Sequence, residues 1–177
     1  MYAEIMNKKV IVLASGEGTN FSAIIESGIK VDMLLTNNPN ANAISRAMDN
    51  DVPYEHILHM DLDDYIPKDV DLIVLAGYNR VLNTSTCDKF RGKIINIHPS
   101  LLPAFAGTLH AIEESYNYGV KLMGVTIHYV TAEVDAGEII EQAAIPVVGT
   151  LEEMEEKIHK LEHELLPKTI RKLLYAN

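Results

Sequence analysis

Val10-Ile11-Val12-Leu13-Ala14, running directly into Ser15-Gly16-Glu17-Gly18-Thr19-Asn20, is the stretch that decides the fold. A short continuous apolar run is a strand buried on both faces, and such strands belong to parallel sheets covered by helices. The glycines close the run in a tight loop, and Phe21 to Ser27, apolar at 21, 24 and 25, opens a helix. Strand, glycine loop and helix form the first unit of an alternating α/β chain.

Downstream the alternation continues. A second strand, Val31 to Thr36, stops at the turn-rich Asn37-Asn38-Pro39-Asn40, and a helix is predicted from Asn42 to Asp49. Further strands are predicted at Tyr54 to Leu58, Val70 to Ala76 and Lys93 to His98, separated by helical or irregular segments such as Thr84 to Phe90. Strands alternating with helices imply a mostly parallel sheet. After His98 the pattern changes: Pro99, Pro103 and Gly107 mark a long loop, and a helix follows from Ala111 to Tyr118. Two strands, Leu122 to Val130 and Glu138 to Val147, are joined by a loop short enough for antiparallel neighbours. From Leu151 on, apolar residues at 151, 154, 158, 161 and 165 draw one helical stripe, which Pro167 is expected to interrupt or kink before Lys168 to Leu174.

The chain's 177 residues fit one domain at roughly 100–200 residues each, with no repeat or linker to divide it. The expected fold is a single α/β domain over 1–177: an open, twisted, mostly parallel sheet with helices on both faces. An apolar share of 47% with 23% charged residues excludes a disordered chain. The net charge of −10 argues against nucleic acid, whose binders present a basic surface to phosphates. Cys87 is the one cysteine and has no intramolecular partner, which fits a reducing compartment. Met1 to Lys9 lacks a leader pattern, and no apolar run approaches the ~20 residues of a membrane span, so a cytoplasmic protein without membrane contact is expected.

The glycine loop has Phe21 where a dinucleotide fingerprint needs its third glycine, and the second strand ends in Thr36-Asn37-Asn38 without a ribose-binding acid. It also lacks the Gly-Lys-Ser/Thr of a P-loop. Backbone N–H groups at a helix start can still cradle a monophosphate, although a ligand-free turn explains the loop equally well. Asn96 and His98 lie two apart on a strand, hence on one face, at the carboxyl end where open α/β sheets place ligands. Asp135, in Val134-Asp135-Ala136-Gly137, reaches the same edge if its strand joins that sheet. An amide, an imidazole and a carboxylate make an oxyanion stabiliser with an acid/base pair and no protein nucleophile, so the substrate must supply its own. Ser15 lacks a nucleophile elbow and Cys87 a reactive-cysteine setting. His159 and His163 are four apart near Glu155, Glu156 and Glu162, but His159-Lys160-Leu161-Glu162-His163 is not a zinc-protease motif. The expectation there is a solvated or substrate-facing helix, and no metal.

Four further strings add a resemblance: Leu75-Ala76-Gly77-Tyr78-Asn79-Arg80-Val81-Leu82, Ile95-Asn96-Ile97-His98-Pro99-Ser100-Leu101-Leu102-Pro103-Ala104-Phe105, Gly124-Val125-Thr126-Ile127-His128-Tyr129 and Val134-Asp135-Ala136-Gly137. With the glycine loop, and in this order, the chain resembles the formyltransferase family that uses 10-formyltetrahydrofolate. The resemblance implies a Rossmann-like formyltransferase fold and formyl transfer to the amine of glycinamide ribonucleotide, in purine synthesis, by a monomer or weak homodimer. It assigns Gly18, Thr19 and Asn20 to the nucleotide phosphate and Glu162 to its ribose. Arg80, Val81 and Leu82 border the folate, and the turn at Asp135 walls the pteridine. Asn96, His98 and Asp135 are the implied catalytic set, the first two stabilising the oxyanion and Asp135 moving a proton, through a water.

Departures from the family pattern fall on Asn79, where methionine is common, on His159, where a glutamine often contacts the nucleotide, and on a Gly107-Thr108-Leu109-His110 loop one residue longer than usual. Against the family pattern the resemblance leads us to expect a trimmed segment between the second and fourth strands and a chain without the usual C-terminal extension. Within the same resemblance a hydrolase that deformylates 10-formyltetrahydrofolate carries a His-His-Ser variant of the string, whereas His98-Pro99-Ser100 favours an amine acceptor. Transfer to an initiator aminoacyl-tRNA is opposed by the negative charge. A non-catalytic binder of a phosphorylated metabolite is the reading from a different class.

Overall fold

The computed structural model describes residues 8–175, so the leader reading of residues 1–7 lies outside the described residues. Five strands are parallel: β1 (Val10–Leu13), β2 (Met33–Thr36), β3 (Tyr54–His56), β4 (Leu72–Leu75) and β5 (Ile94–His98). Two longer ones, β6 (Leu122–Tyr129) and β7 (Ile139–Pro146), continue the sheet antiparallel, giving the order β3-β2-β1-β4-β5-β6-β7. The helices are α1 (Thr19–Glu26), α2 (Asn42–Asp49), α3 (Leu62–Tyr65) after a 3-10 turn at His59–Asp61, α4 (Thr84–Lys89), α5 (Ala111–Tyr118) and α6 (Leu151–Tyr175).

Alternation along each strand splits the apolar residues between the two faces. Val10 and Val12 of β1 join Val74, Ile95, Ile97, Val125 and Ile127 under Phe21, Ala43, Met154, Ile158 and Leu166, so α1, α2, α5 and α6 cover this side. Ile11 and Leu13 point the other way, with Leu35, Ile73, Leu75 and Ile94, and are covered by Leu62, Ile66, Tyr78, Leu82, Cys87 and Phe90. This second cluster takes Ile94 from β5 and no buried residue from β6. Helical cover on that face therefore stops short of the last turn of β5 and its neighbour β6.

The predicted elements are present, with strands one to three residues shorter at their ends, where pairing stops. α1 starts at Thr19 rather than Phe21, because the left-handed backbone of Gly18 (φ 71°) delivers the chain into the first turn one residue later. Pro167 does not break α6: the helix runs from 151 to 175 with the proline buried in it. Burial of Leu166, Thr169 and Ile170 around the proline keeps the helix continuous despite one missing N–H. Its start is fixed by a reciprocal cap, with Thr150 N–H donating to Glu153 Oε2 (2.7 Å) and Glu153 N–H to Thr150 Oγ1 (3.3 Å). No helix among the described residues is long and apolar enough to cross a membrane.

Candidate active site

In the order β2-β1-β4 the chain reverses direction of travel across the sheet between β1 and β4, and ligands in open α/β sheets gather outside the carboxyl ends at such a switch. A cavity of about 540 Å³ lies there, within the usual range for small-molecule sites. All ten residues singled out from sequence line it: Gly18, Thr19 and Asn20 after β1; Arg80, Val81 and Leu82 after β4; Asn96 and His98 on β5; Asp135 in the β6–β7 turn; and Glu162 on α6.

The glycine loop is clamped from behind by α2. Ala43 N–H donates to Gly16 C=O (3.1 Å), Arg46 Nε to Glu17 C=O (2.6 Å), and Asn42 Nδ2 to the Glu17 carboxylate (2.9 Å). A Cβ on Gly18 would lie 2.8 Å from the Ala43 Cα, so this position admits only glycine without a shift of backbone. The α1 N-terminus has no side-chain cap, which leaves its first N–H groups directed outward, as a bound anion requires. Asn20 Oδ1 is buried there without a hydrogen-bond partner.

Asn96 and His98 come from the uncovered end of β5 and face the antiparallel β6, where register sets Asn96 opposite His128 and His98 opposite Thr126. His128 is 2% exposed and is the residue the sequence reading passed over. Its Nδ1 donates to the Tyr129 carbonyl (2.9 Å), so in the neutral ring Nε2 carries a lone pair, and Asn96 Nδ2 donates to it (3.2 Å). That contact fixes which end of the Asn96 amide is nitrogen and leaves its second N–H for a ligand. Asp135 stands between the rings, with Oδ2 3.5 Å from His98 Nδ1 and Oδ1 3.5 Å from His128 Nε2. Gly107 N–H also donates to Asp135 Oδ2 (2.8 Å).

Asp135 is held below the usual carboxylate pKa, by His128 foremost, then by Gly107 N–H and the charge of His98, against burial, which opposes ionisation. His128 acts on the carboxylate when its Nε2 carries a proton; in the neutral tautomer that accepts from Asn96, Gly107 N–H is the carboxylate's donor. His98 Nε2 donates to the Phe105 carbonyl (2.9 Å). With that nitrogen committed, only the protonated ring has a second N–H, on Nδ1, to offer a substrate. Phe105 (φ 56°) and Asp135 (φ 52°) both adopt left-handed backbone, uncommon for such residues, and both contact His98. Thr126 buttresses the loop beyond His98: its Oγ1 donates to Ser100 C=O (2.7 Å) and accepts from Leu102 N–H (3.0 Å).

The β4–α4 loop is braced by His59, which sequence reading also missed. Tyr78 Oη donates to its Nδ1 (2.9 Å) and its Nε2 donates to the Val81 carbonyl (3.0 Å), while burial pushes the Tyr78 pKa up to about 12. Asn79 is tied to Asn37, which donates to its Oδ1 (2.9 Å), and its backbone N–H donates to Ser15 Oγ (3.0 Å). Ser15 is therefore a structural hydroxyl, and Cys87 is buried with its thiol pKa raised by that burial. His159 lines the cavity beside Glu162, whereas His163 does not; no group of residues among those described is arranged to hold a metal ion.

Fold and site together define an α/β enzyme with one cleft that gathers an amide, two imidazoles and a carboxylate beside an uncapped helix start. Residues 8–170 match the formyl transferase family, and the chain belongs to that family. It is 39% identical to phosphoribosylglycinamide formyltransferase of Bacillus subtilis (strain 168), covering 96% of both chains, and 37% identical to the Haemophilus influenzae protein of that name, covering 93% of this chain and 86% of the other. The crystal structure of phosphoribosylglycinamide formyltransferase from Bacillus halodurans superimposes with a TM-score of 0.89 at 38% identity over 96% of each chain.

Proposed function

We propose that the protein transfers the formyl group of 10-formyltetrahydrofolate to the amino group of glycinamide ribonucleotide in purine biosynthesis. The observation that carries this reading is the convergence of Asn96, His98 and Asp135 in a cavity that also contains the helix-start glycine loop. Gly18, Thr19 and Asn20 bind the phosphate, Glu162 accepts from the ribose, and Arg80, Val81 and Leu82 with the Asp135 turn border the folate. The neutral amine attacks the formyl carbon. The carbonyl oxygen becomes an oxyanion that accepts from the free N–H of Asn96 and from Nδ1–H of protonated His98. The C–N10 bond then breaks, and Asp135, through a water, carries the proton lost by the amine to N10 of the departing tetrahydrofolate. Holding both substrates in one cleft turns the encounter into an intramolecular step.

The reading includes a monomer or weak homodimer, with 1–177 acting as a single formyltransferase domain in the cytoplasm. The test is the absorbance change of a 10-formylfolate donor with and without glycinamide ribonucleotide, alongside His98→Ala. Nucleotide-dependent signal that falls by roughly 10²–10³ in kcat in the variant is expected, as for loss of an oxyanion donor. Equal signal without the nucleotide would make the protein a deformylase, and silence in both would make it a binder.

A further inference from the structure

The β4–α4 loop borders the cavity along residues 78–82, and its two ends are held differently. At the β4 end, Ser15 N–H donates to Gly77 C=O (3.0 Å), Asn79 N–H donates to Ser15 Oγ (3.0 Å) and Asn37 Nδ2 donates to Asn79 Oδ1 (2.9 Å). Beyond Asn79 the support thins. Among the described residues a single hydrogen bond reaches the backbone of residues 80–82, and it runs from His59 Nε2 to the Val81 carbonyl (3.0 Å). The Leu82 side chain is buried, whereas that of Val81 is 61% exposed. The soft dihedrals on either side of the peptide between them let its plane rotate, so burial of Leu82 alone does not choose the direction of that peptide.

His59 chooses it. A carbonyl can only accept, so Nε2 carries the proton; Nδ1 of the neutral ring then holds a lone pair, and the Tyr78 hydroxyl donates to it (2.9 Å). Burial pushes the Tyr78 pKa up to about 12 and keeps that hydroxyl a donor. Tyr78 therefore selects the tautomer that grips Val81. The imidazole itself lies outside the cavity, and the buried side chains of Ile57 and Leu62 hold the 3-10 turn on either side of it. In a trans peptide the C=O and the N–H point in opposite directions. With the Val81 C=O turned outward to His59, the Leu82 N–H points the other way, on the side where Val81 and Leu82 line the cavity, and it has no partner among the described residues.

Resting on the reading of the site given above, we propose that His59 is a positioning residue for the folate donor. Its one hydrogen bond sets the direction of the Val81–Leu82 peptide, so affinity for the folate depends on an imidazole that never touches it. The formyl chemistry at Asn96 and His98 does not depend on His59, and neither does the nucleotide end of the cavity. Were the peptide to flip, an acceptor on the edge of the folate ring system would meet a carbonyl lone pair in place of an N–H, and binding would weaken.

The test measures kcat and the KM values of the folate donor and of glycinamide ribonucleotide in the wild type, His59→Gln, His59→Asn and His59→Leu. A glutamine amide nitrogen reaches the place of Nε2, whereas an asparagine amide reaches only that of Nδ1. His59→Gln should therefore keep the folate KM near that of the wild type. His59→Asn and His59→Leu should raise it roughly threefold to tenfold, the span of one misdirected hydrogen bond, with kcat at saturating folate and the nucleotide KM unchanged. His59 is half-buried, and the two polar variants carry the test even where His59→Leu fails to fold. Amide hydrogen exchange gives a reading that needs no turnover: the Leu82 N–H should gain protection when tetrahydrofolate is added to the wild type and lose most of that gain in His59→Asn. Folate KM and Leu82 protection equal in wild type and His59→Asn overturn the inference. So does a fall in kcat with a rise in both KM values, which would make His59 a general prop of the fold, and so does a His59→Gln no better than His59→Asn. Absence of nucleotide-dependent turnover and of folate binding in the wild type overturns the underlying reading instead.

Discussion

Asn96 has two amide hydrogens, and His128 takes one of them. The pairing matters because an amide free to flip would present its oxygen to a developing negative charge half the time. Asn96→Ala is expected to lower kcat by roughly 10²–10³, as for a deleted oxyanion donor. His128→Phe keeps the ring volume but releases the amide, and kcat should fall about tenfold or more through misplacement, with nucleotide KM little changed. Steady-state kinetics with both substrates varied checks both substitutions. Asp135 carries a pH signature in stability. Its folded pKa is lowered, so its contribution is fully present above the unfolded value of about 3.9 and is lost as pH falls through the folded one. Urea unfolding of wild type and Asp135→Asn should show a gap at pH 6 that narrows below pH 4; a gap that widens there would contradict the assignment.

At this scale the sequence was readable where chemistry is local and opaque where it depends on register. Asn96 and His98 announce themselves by two-residue spacing at a strand end. His128 was visible as a letter in a matching string but had no role until β6 was seen to run antiparallel to β5 with Asn96 opposite it. His59 is a similar case: nothing between 59 and 81 reveals that a histidine in a 3-10 turn grips the Val81 carbonyl.

Among the elements, the β1–α1 loop is the most constrained. Gly18 combines a left-handed backbone with a packing contact on α2 that leaves no room for a methyl. Gly18→Ala should destabilise by about 1–3 kcal/mol and weaken nucleotide binding more than folate binding, measurable by thermal unfolding and by the two KM values. Strand, loop and helix were legible here because β1 is buried on both faces and so reads as an unbroken apolar run. The 3-10 turn and α3 were not, since seven residues rich in aspartate, His59 to Tyr65, carry too few apolar positions to show a period. Pro167 misled for the opposite reason: local propensity predicts a break, and packing of the helix on both sides of the proline overrides it.

Across the whole molecule the two sides of the sheet are unequal. One carries α1, α2, α5 and the long α6; the other carries only short helices and a 3-10 turn. Native-state hydrogen exchange should therefore reach residues 59–66 well before β1 or the Met154–Ile170 stretch of α6, whose buried side chains Met154, Ile158, Leu166 and Ile170 are fully shielded. Exchange at equal rates on both sides would refute that ordering.

The gap in helical cover over β5 and β6 has a consequence for how such a protein can change. The cavity's floor is sheet, with Asn96, His98 and His128 fixed by strand pairing, while its walls are loops and the flank of α6. Substitutions at wall positions such as Asn79, Thr108 or His159 leave the strand register untouched. A library confined to them can search for new acceptor amines without reopening the problem of formyl chemistry, because the parts that choose the partner and the parts that perform the reaction are inherited separately.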